Sequence, residues 1–185
     1  WLQACLILQR HNKRFAMIDH NNHKQPVMPF MRLWFCAIFL LLIVADQATK
    51  QVMLDLIFDP PRRIEILAIL NLVPVWNRGM SFGMLADSGA LVPVGLTGLA
   101  FAVSAWLFWM VPRLNRVQRL SAAFIAGGAI GNALDRLRFG KVVDFIDLHY
   151  AGVHWPAFNL ADAAITIGAM LWGYSILRGQ ETSRI

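Results

Sequence analysis

Charged residues are scarce in this sequence. Only 15% of its 185 residues are Asp, Glu, Lys or Arg, whereas 57% are hydrophobic. Soluble domains carry about 25% charged residues, and a soluble protein of this length would not cover so much apolar surface. Because a protein surrounded by lipid needs no such cover, the composition predicts an integral membrane protein with a single membrane domain.

Cysteines are also few, and some common protease motifs are absent. The two cysteines, Cys5 and Cys36, lie in the N-terminal segment and in an apolar run, so no disulfide framework is predicted. The sequence has no H-E-x-x-H motif, which removes the support for a zinc protease.

The first thirty residues lack the apolar block of a signal peptide. Met31-Arg32, followed by an apolar run, is typical of a natural start. We interpret residues 1–30 as upstream translation or a disordered cytoplasmic tail without a role in the chemistry. The membrane domain is then expected over residues 31–180, with a cytoplasmic tail at 181–185.

Four apolar stretches are long enough to cross a hydrocarbon core of about 30 Å, which takes about 20 helical residues. They cover about residues 33–54, 91–111, 120–139 and 157–177. The predicted fold class is therefore an all-α membrane protein with four transmembrane helices.

Basic residues mark the ends of these stretches rather than forming one stripe, so they favour a membrane orientation signal over a nucleic-acid partner. The short link between the second and third spans holds Arg113, Arg116 and Arg119 without an acid, and Arg178 and Arg184 follow the fourth span. The positive-inside rule then places both termini in the cytoplasm.

The connection between the first two spans contains more than a simple loop. Residues 64–76 are rich in Ile, Leu and Val, with Pro74 as a break, and Asn77-Arg78-Gly79 is typical of a turn. We expect a small sheet or a re-entrant segment on the membrane surface.

Ionisable residues within spans cost about 2.5–3.5 kcal/mol each on insertion scales, so each needs a reason. Counting about 1.5 Å per helical residue brings them to similar depth near the outer face, together with Asn132 and Asn159. The ionisable residues concerned are Asp46, Lys50, Asp135, Arg136, Asp144 and Asp162.

Several of these residues also have a purely structural interpretation. Asp46 and Lys50 lie four apart and therefore face one way on a helix, where they can pair. Asn132 and Arg136 share a helix face in the same way and can hold a substrate or a loop. Gly127, Gly128 and Gly131 are typical of close helix packing, and Asp147 is expected to be a solvated loop acid.

Asp144 and Asp162 lie at the facing ends of consecutive spans. Two carboxylates at the edge of a low-dielectric region do not both ionise cheaply, so one keeps its proton. That state suits hydrolysis, because the ionised acid takes a proton from water while the protonated acid polarises a carbonyl. An ion or proton pathway, or simple packing polarity, remains open on spacing alone.

A rival site is the segment Gly79-Met80-Ser81-Phe82-Gly83. It matches the G-x-S-x-G pattern of serine hydrolases, which requires a strand–turn–helix elbow with a histidine and an acid. Here the pattern follows a turn in a chain without an α/β pattern, which disfavours it.

Five motifs in order resemble lipoprotein signal peptidase, the signal peptidase II family, over about residues 31–176. They are Asp46-Gln47-Ala48-Thr49-Lys50; Asn77-Arg78-Gly79; Gly128 through Gly131-Asn132-Ala133-Leu134-Asp135-Arg136; Val142-Val143-Asp144-Phe145; and Phe158-Asn159-Leu160-Ala161-Asp162. The resemblance implies a bacterial inner-membrane aspartyl endopeptidase that removes signal peptides from prolipoproteins carrying a diacylglyceryl-cysteine. The cut would fall on the N-terminal side of that cysteine, at the periplasmic face.

The resemblance also assigns residues. It implies Asp144 and Asp162 as the catalytic dyad, and the depth in the span favours Asp144 over Asp135 as the first acid. Other family positions fall on Asp46, Lys50, Asn77, Gly79, Gly128, Asn132, Asp135, Arg136, Asn159 and Ala161. It further implies a small β-cradle and a surface helix within residues 55–90, a monomer embedded in membrane lipid, and no metal or organic cofactor.

Overall fold

The computed structural model describes residues 27–79 and 91–182. The chain divides into two compact units, Trp1–Phe30 and Met31–Ile185. Of the first unit only residues 27–30 are described, as the start of a helix. The domain boundaries expected at residues 30 and 180 stay predictions.

Helices occupy the four stretches in which the sequence predicts them. Helix α1 is Val27–Ile57, α2 is Leu91–Met110 followed by a 3₁₀ turn at Val111–Arg113, α3 is Arg116–Phe139 and α4 is Leu160–Thr182. Among the described residues, three segments have the length and apolar composition to cross a membrane, namely Arg32–Ile57, Leu91–Arg113 and Leu160–Gly179. Helix α3 is not among them, so a fourth span stays a prediction.

Both ends of α3 are fixed by local sequence. Asn115 caps the N-terminus, because its side chain accepts from the backbone N–H of Gln118 while the Gln118 side chain accepts from the Asn115 N–H. Gly140 ends the helix in the left-handed conformation at φ 69°, where a residue without a Cβ is favoured. The chain therefore turns directly into a strand that begins at Val142.

Glycines let neighbouring helices approach α3 closely. A Cβ at Gly127 would meet Leu42 and the carbonyl oxygen of Phe39 on α1, and a Cβ at Gly128 would meet the carbonyl oxygen of Ala161 on α4. The packing role predicted for these glycines is confirmed. The close approach is what brings polar groups of α1, α3 and α4 within hydrogen-bonding distance.

A four-stranded antiparallel sheet joins the helix ends. Its strands, in spatial order, are β1 (Ile64–Leu67), β2 (Leu70–Asn77), β3 (Val142–Tyr150) and β4 (Val153–His154). The sheet expected in the first connection is confirmed, but the sequence interpretation did not foresee that half of it comes from the link between α3 and α4. The register pairs Val75 with Asp144 and Asn71 with Asp147. No helix occurs in residues 58–79, and the rest of the connection, where a surface helix is predicted, lies outside the described residues.

Aromatic rings fasten the sheet to the ends of α1 and α3. The ring of Trp76 on β2 makes edge contacts with Phe58, at 5.0 Å between centroids, and with Phe139, at 5.5 Å. The ammonium of Lys141 lies 4.0 Å from the centroid of the Trp76 ring. Strand β3 is thereby held at the level where the helices end.

Candidate active site

Asp162 lies in the first turn of α4 and forms a reciprocal pair with Asn159. The backbone N–H of Asp162 donates to Asn159 Oδ1 at 3.0 Å, and the N–H of Asn159 donates to Asp162 Oδ2 at 3.2 Å. This is the pattern of a capping box. The pair fixes the position of the Asp162 side chain at the start of the helix.

Asp144 lies on β3 and is almost completely buried, at 1% exposure. Each of its oxygens accepts from an amide: Oδ1 from Asn159 Nδ2 at 2.7 Å and Oδ2 from Asn77 Nδ2 at 2.9 Å. Burial first, and the charge of Asp162 second, raise the pKa of Asp144 to about 6. Asp144 thus holds a proton more readily than an ordinary aspartate side chain.

Asn159 connects the two acids. Its Nδ2 donates to Asp144, while its Oδ1 and backbone N–H bond to Asp162. One buried residue therefore bonds to both carboxyl groups, to Asp144 through its side chain and to Asp162 through its backbone N–H. The two acids, which the sequence interpretation puts at the facing ends of consecutive spans, are thus both bonded to one residue.

Asn132 on α3 supports Asp162 from the other side. Its Nδ2 donates to Asp162 Oδ1 at 2.8 Å, and its Oδ1 accepts from Lys50 Nζ at 2.9 Å and from Asn159 Nδ2 at 3.1 Å. Since Oδ1 receives two donors, the amide has one orientation in which all its partners are satisfied. That orientation points its N–H at Asp162.

Asn77 and Gly79 form the turn that the sequence predicts. Asn77 Oδ1 accepts from the backbone N–H of Gly79 at 2.7 Å, which leaves Nδ2 directed at Asp144. Gly79 has φ 106°, a conformation that residues with a Cβ rarely adopt. The turn thus fixes which end of the Asn77 amide faces the acid.

Beneath the two acids lies a buried ionic cluster. Lys50 pairs with Asp46 at 2.8 Å, which confirms the predicted pairing, and also with Asp135 at 2.9 Å. All three side chains are at most 2% exposed. A Cβ at Gly131 would meet the carboxylate of Asp46, and Ala161 contributes its backbone N–H to Asp46 Oδ1 at 2.9 Å.

Arg136, adjacent to Asp135, has a different position. It is half-buried, its Nη1 donates to the carbonyl oxygen of Asn132 at 3.4 Å, and its Nε is buried without a hydrogen-bond partner among the described residues. An unpaired buried donor is uncommon in proteins.

The interpretation of Asp147 as a solvated loop acid is wrong. Asp147 lies on β3 at 6% exposure, accepts from Asn71 Nδ2 at 2.8 Å, and lies 2.8 Å from Nδ1 of His154. Burial opposes ionisation, but the hydrogen bonds from Asn71 and His154 outweigh it and lower the pKa of Asp147. Without the strand, which local sequence did not indicate, no partner for this acid was visible.

The sequence interpretation also missed Gln47 as a supporting residue. Its Nε2 donates to Asp135 Oδ1 at 2.9 Å and to the carbonyl oxygen of Gly131 at 3.1 Å. Its place between Asp46 and Lys50 in the first motif was the available signal. Ser81, the centre of the rival serine-hydrolase pattern, lies outside the described residues.

Comparison with known proteins identifies relatives over most of the chain. The sequence pattern of the family described as signal peptidase (SPase) II matches residues 38–178. The lipoprotein signal peptidase of Burkholderia thailandensis is 41% identical over 149 residues, covering 80% of this chain and 89% of the relative. That of Cupriavidus necator is 41% identical over 154 residues, covering 82% and 85%.

Solved structures agree with the fold. Two structures described as bacterial membrane enzymes, determined by the in meso method, superpose with TM-scores of 0.68 and 0.67. They are 24% and 28% identical in sequence and cover 80% and 77% of this chain. With a family pattern over three quarters of its length and relatives at 41% identity, the chain belongs to the signal peptidase II family.

Proposed function

We propose that Asp144 and Asp162 form the aspartyl dyad with which this membrane peptidase removes signal peptides from prolipoproteins. The observation that carries the proposal is that Asn159 bonds to both carboxyl groups, to Asp144 through its side-chain Nδ2 and to Asp162 through its backbone N–H. Asp135 is the less suitable first acid, because Lys50, Gln47 and the Val143 N–H already occupy its oxygens.

The two environments divide the roles. Asp162 is partly exposed, and its oxygens accept from Asn132 Nδ2 and from the backbone N–H of Asn159. Asp144 is buried, and its pKa is raised to about 6. Asp162 is therefore the base and Asp144 the acid that carries the proton.

Hydrolysis follows from this division. Asp162 takes a proton from water as the water oxygen bonds to the scissile carbonyl carbon, and Asp144 gives its proton to the carbonyl oxygen. When the resulting diol collapses, the carbon–nitrogen bond breaks and the leaving nitrogen receives the proton from Asp162. Asp144 regains a proton from a diol hydroxyl, which restores the starting state. We assign the guanidinium of Arg136, which is half-buried beside Asn132, to hold a carbonyl of the substrate.

The position of the dyad suits a substrate anchored in lipid. Asp144 follows the end of α3 by five residues and Asp162 is the third residue of α4, so both lie at the edge of the helical layer. A diacylglyceryl chain can stay in lipid while the peptide bond N-terminal to the modified cysteine reaches the acids. The arginines at the opposite helix ends, Arg113, Arg116 and Arg178, favour a periplasmic site in a four-span protein of the bacterial inner membrane.

The catalytic test is cleavage of a diacylglyceryl-modified prolipoprotein by purified enzyme in lipid, with folding checked for each variant. Asp144→Asn and Asp162→Asn are expected to lower kcat by about 10²–10⁴-fold, the usual contribution of an acid–base group. Ser81→Ala is the matched control and should cleave normally. A folded, active Asp144→Asn beside an inactive Asp135→Asn would move the first acid to Asp135.

The topology is tested by cysteine labelling in a Cys5→Ser, Cys36→Ser background. A membrane-impermeant maleimide should label Val153→Cys, on exposed β4, in cells with a permeabilised outer membrane. Arg116→Cys should react only after the inner membrane is lysed. Labelling of both in sealed cells would contradict the proposed orientation.

A further inference from the structure

Lys50 is the centre of a network that the proposed chemistry does not use directly. Its ammonium is 2% exposed and lies 2.8 Å from Asp46 Oδ2, 2.9 Å from Asp135 Oδ2 and 2.9 Å from Asn132 Oδ1. A buried ion is tolerated when it is paired and fully hydrogen-bonded. Here one cation joins two anions that come from different helices.

Each of the two carboxylates also holds a backbone N–H, and these two N–H groups have special positions. Asp46 Oδ1 accepts from Ala161 at 2.9 Å, and Asp135 Oδ2 accepts from Val143 at 3.0 Å. Ala161 immediately precedes Asp162, and Val143 immediately precedes Asp144. The network therefore has two arms, one from Lys50 through Asp46 to the Ala161 N–H and one from Lys50 through Asp135 to the Val143 N–H. Each arm ends one residue before an acid of the dyad.

We propose that Asp46 and Asp135, joined by Lys50, are positioning residues that fix the backbone of both catalytic acids relative to each other. The inference rests on the proposed dyad. The Asp46 arm fixes the position of the first turn of α4, and the Asp135 arm fixes the position of the start of β3. Lys50 makes the two settings interdependent.

The surroundings of the network are consistent with a fixed geometry. Gln47 occupies the remaining oxygen of Asp135, at 2.9 Å, and the absence of a side chain at Gly131 leaves room for the Asp46 carboxylate. Hydrogen-bonded networks in a low-dielectric interior are stiff when all members are satisfied. A small displacement of a catalytic group matters, because about 1 Å of misplacement costs about 10²-fold in rate.

A network that merely anchors the fold would behave differently. Its loss would lower the stability of the whole helical bundle and affect both acids alike. The positioning proposal instead requires that each arm controls its own segment, residues 142–145 for Asp135 and residues 159–162 for Asp46.

The test combines hydrogen–deuterium exchange with cleavage kinetics on Asp46→Ala and Asp135→Ala. An alanine offers no side-chain acceptor, so the backbone N–H of Ala161 or of Val143 loses its partner. Asp135→Ala is expected to raise exchange in residues 142–145 about tenfold more than in 159–162, and Asp46→Ala the reverse. In both variants kcat should fall by about 10–10²-fold, the scale of a sub-ångström to 1 Å shift, with KM within about twofold.

Ser121→Ala is the matched control, because Ser121 Oγ donates to the carbonyl oxygen of Gly168 and so links α3 to α4 away from the acids. It should lower the melting temperature while kcat and both exchange rates stay unchanged. Lys50→Met should affect both segments, and the single aspartate variants decide the matter if that protein does not fold. Equal exchange in both segments for both aspartate variants would overturn the proposal. An aspartate variant that, like Ser121→Ala, lowers the melting temperature without lowering kcat would overturn it too.

Hydrogen–deuterium exchange measures backbone protection without catalysis. The experiment can therefore refute the positioning role of Asp46 and Asp135 independently of the proposed dyad. The segment-specific exchange pattern beside a folded, active Asp144→Asn would refute the dyad and leave the two arms standing as structural links. An inactive Asp144→Asn without that pattern would refute the positioning role alone.

Discussion

The two ends of the helical bundle are built on different principles although the same helices run through both. At the end away from the sheet, a cluster of apolar residues fills the space between α1, α2 and α3; we call it the apolar end. Its buried members are Phe35, Leu107, Val111, Leu114, Ala122, Ala123 and Ala126. At the sheet end, beside a smaller apolar cluster of Ile57, Val143 and Phe145, polar side chains gather around the two acids; we call this group the polar end. Its members are the buried Asp46, Lys50, Asn132, Asp135, Asp144 and Asn159 and the partly exposed Asp162.

Helix α3 shows the contrast within one element. Its first half contributes Ala122, Ala123 and Ala126 to the apolar end, and its second half contributes Asn132 and Asp135 to the polar end. Dispersion contacts have no preferred direction, whereas hydrogen bonds weaken steeply when misaligned. The apolar end therefore sets stability, and the polar end sets the direction in which each carboxyl group points.

Among changes that keep both acids, the largest effect on activity is expected from Asn159→Ala. This change removes the amide that donates to Asp144 and the oxygen that caps α4 at the Asp162 N–H, so kcat should fall by about 100-fold with a loss of about 1 kcal/mol of stability. Single-turnover cleavage and thermal unfolding measure the two effects. An Asn159→Ala enzyme with normal kcat would mean that the polar end does not direct the acids.

At the apolar end, Leu107→Ala should lower stability and leave activity nearly unchanged. Leu107 is 2% exposed, and truncation should lower the free energy of unfolding by about 2 kcal/mol, the low end for a buried leucine. The low end applies because, in lipid, truncation removes packing contacts but not the free energy of transfer from water that a soluble core would also lose. We expect kcat within about twofold of wild type; a large fall in kcat at unchanged stability would erase the distinction between the ends.

A change in pH dependence is expected from Asn77→Leu. The Asn77 amide stabilises ionised Asp144, so its removal should raise the pKa of Asp144 above about 6. Because the mechanism needs protonated Asp144, activity falls as pH rises through this pKa, and the alkaline limb of the kcat profile should move to higher pH. Asp162, Asn159, Lys50 and Arg136 also face Asp144 and are unchanged. A shift to lower pH would contradict the assignment of Asp144 as the acid.

The smallest effect on cleavage is expected from Asp147→Asn, three residues from Asp144 on the same strand. Asp147 has a lowered pKa and a structural environment, so its ionised form stabilises the sheet above its ordinary pKa of 3.8. That stabilisation is lost as pH falls through the lowered value. The variant should cleave about as well as wild type while its stability depends less on acid pH. Strong inactivation without unfolding would place Asp147 in the chemistry.

The helices were predictable because their signal is local. Apolar runs of about 20 residues identify them, and the spacing of Asp46 and Lys50 already indicates a pair on one helix face. The acids were recognisable by their cost in an apolar chain and by the motifs around them. For the same reason the glycines near Asn132 were identifiable as packing positions.

Other features depend on contacts between distant segments. Strand β3 forms because β2, about 70 residues earlier, lies beside it, and nothing in residues 142–150 alone indicates such a partner. The partners of Asp147, the bridging role of Asn159 and the two arms from Lys50 all depend on this arrangement. Their side chains belong to elements separated by up to 115 residues.

By itself, the sequence determined that this is a membrane protein with four helices and buried acids near one end, since hydrophobic length and misplaced charge are read residue by residue. The tertiary structure alone decided how the acids differ. Burial, the helix N-terminus and the directed amides of Asn77, Asn132 and Asn159 distinguish Asp144 from Asp162, and Asp135 from both. Those influences act across space over a few ångströms, where hydrogen bonds and desolvation have their effect.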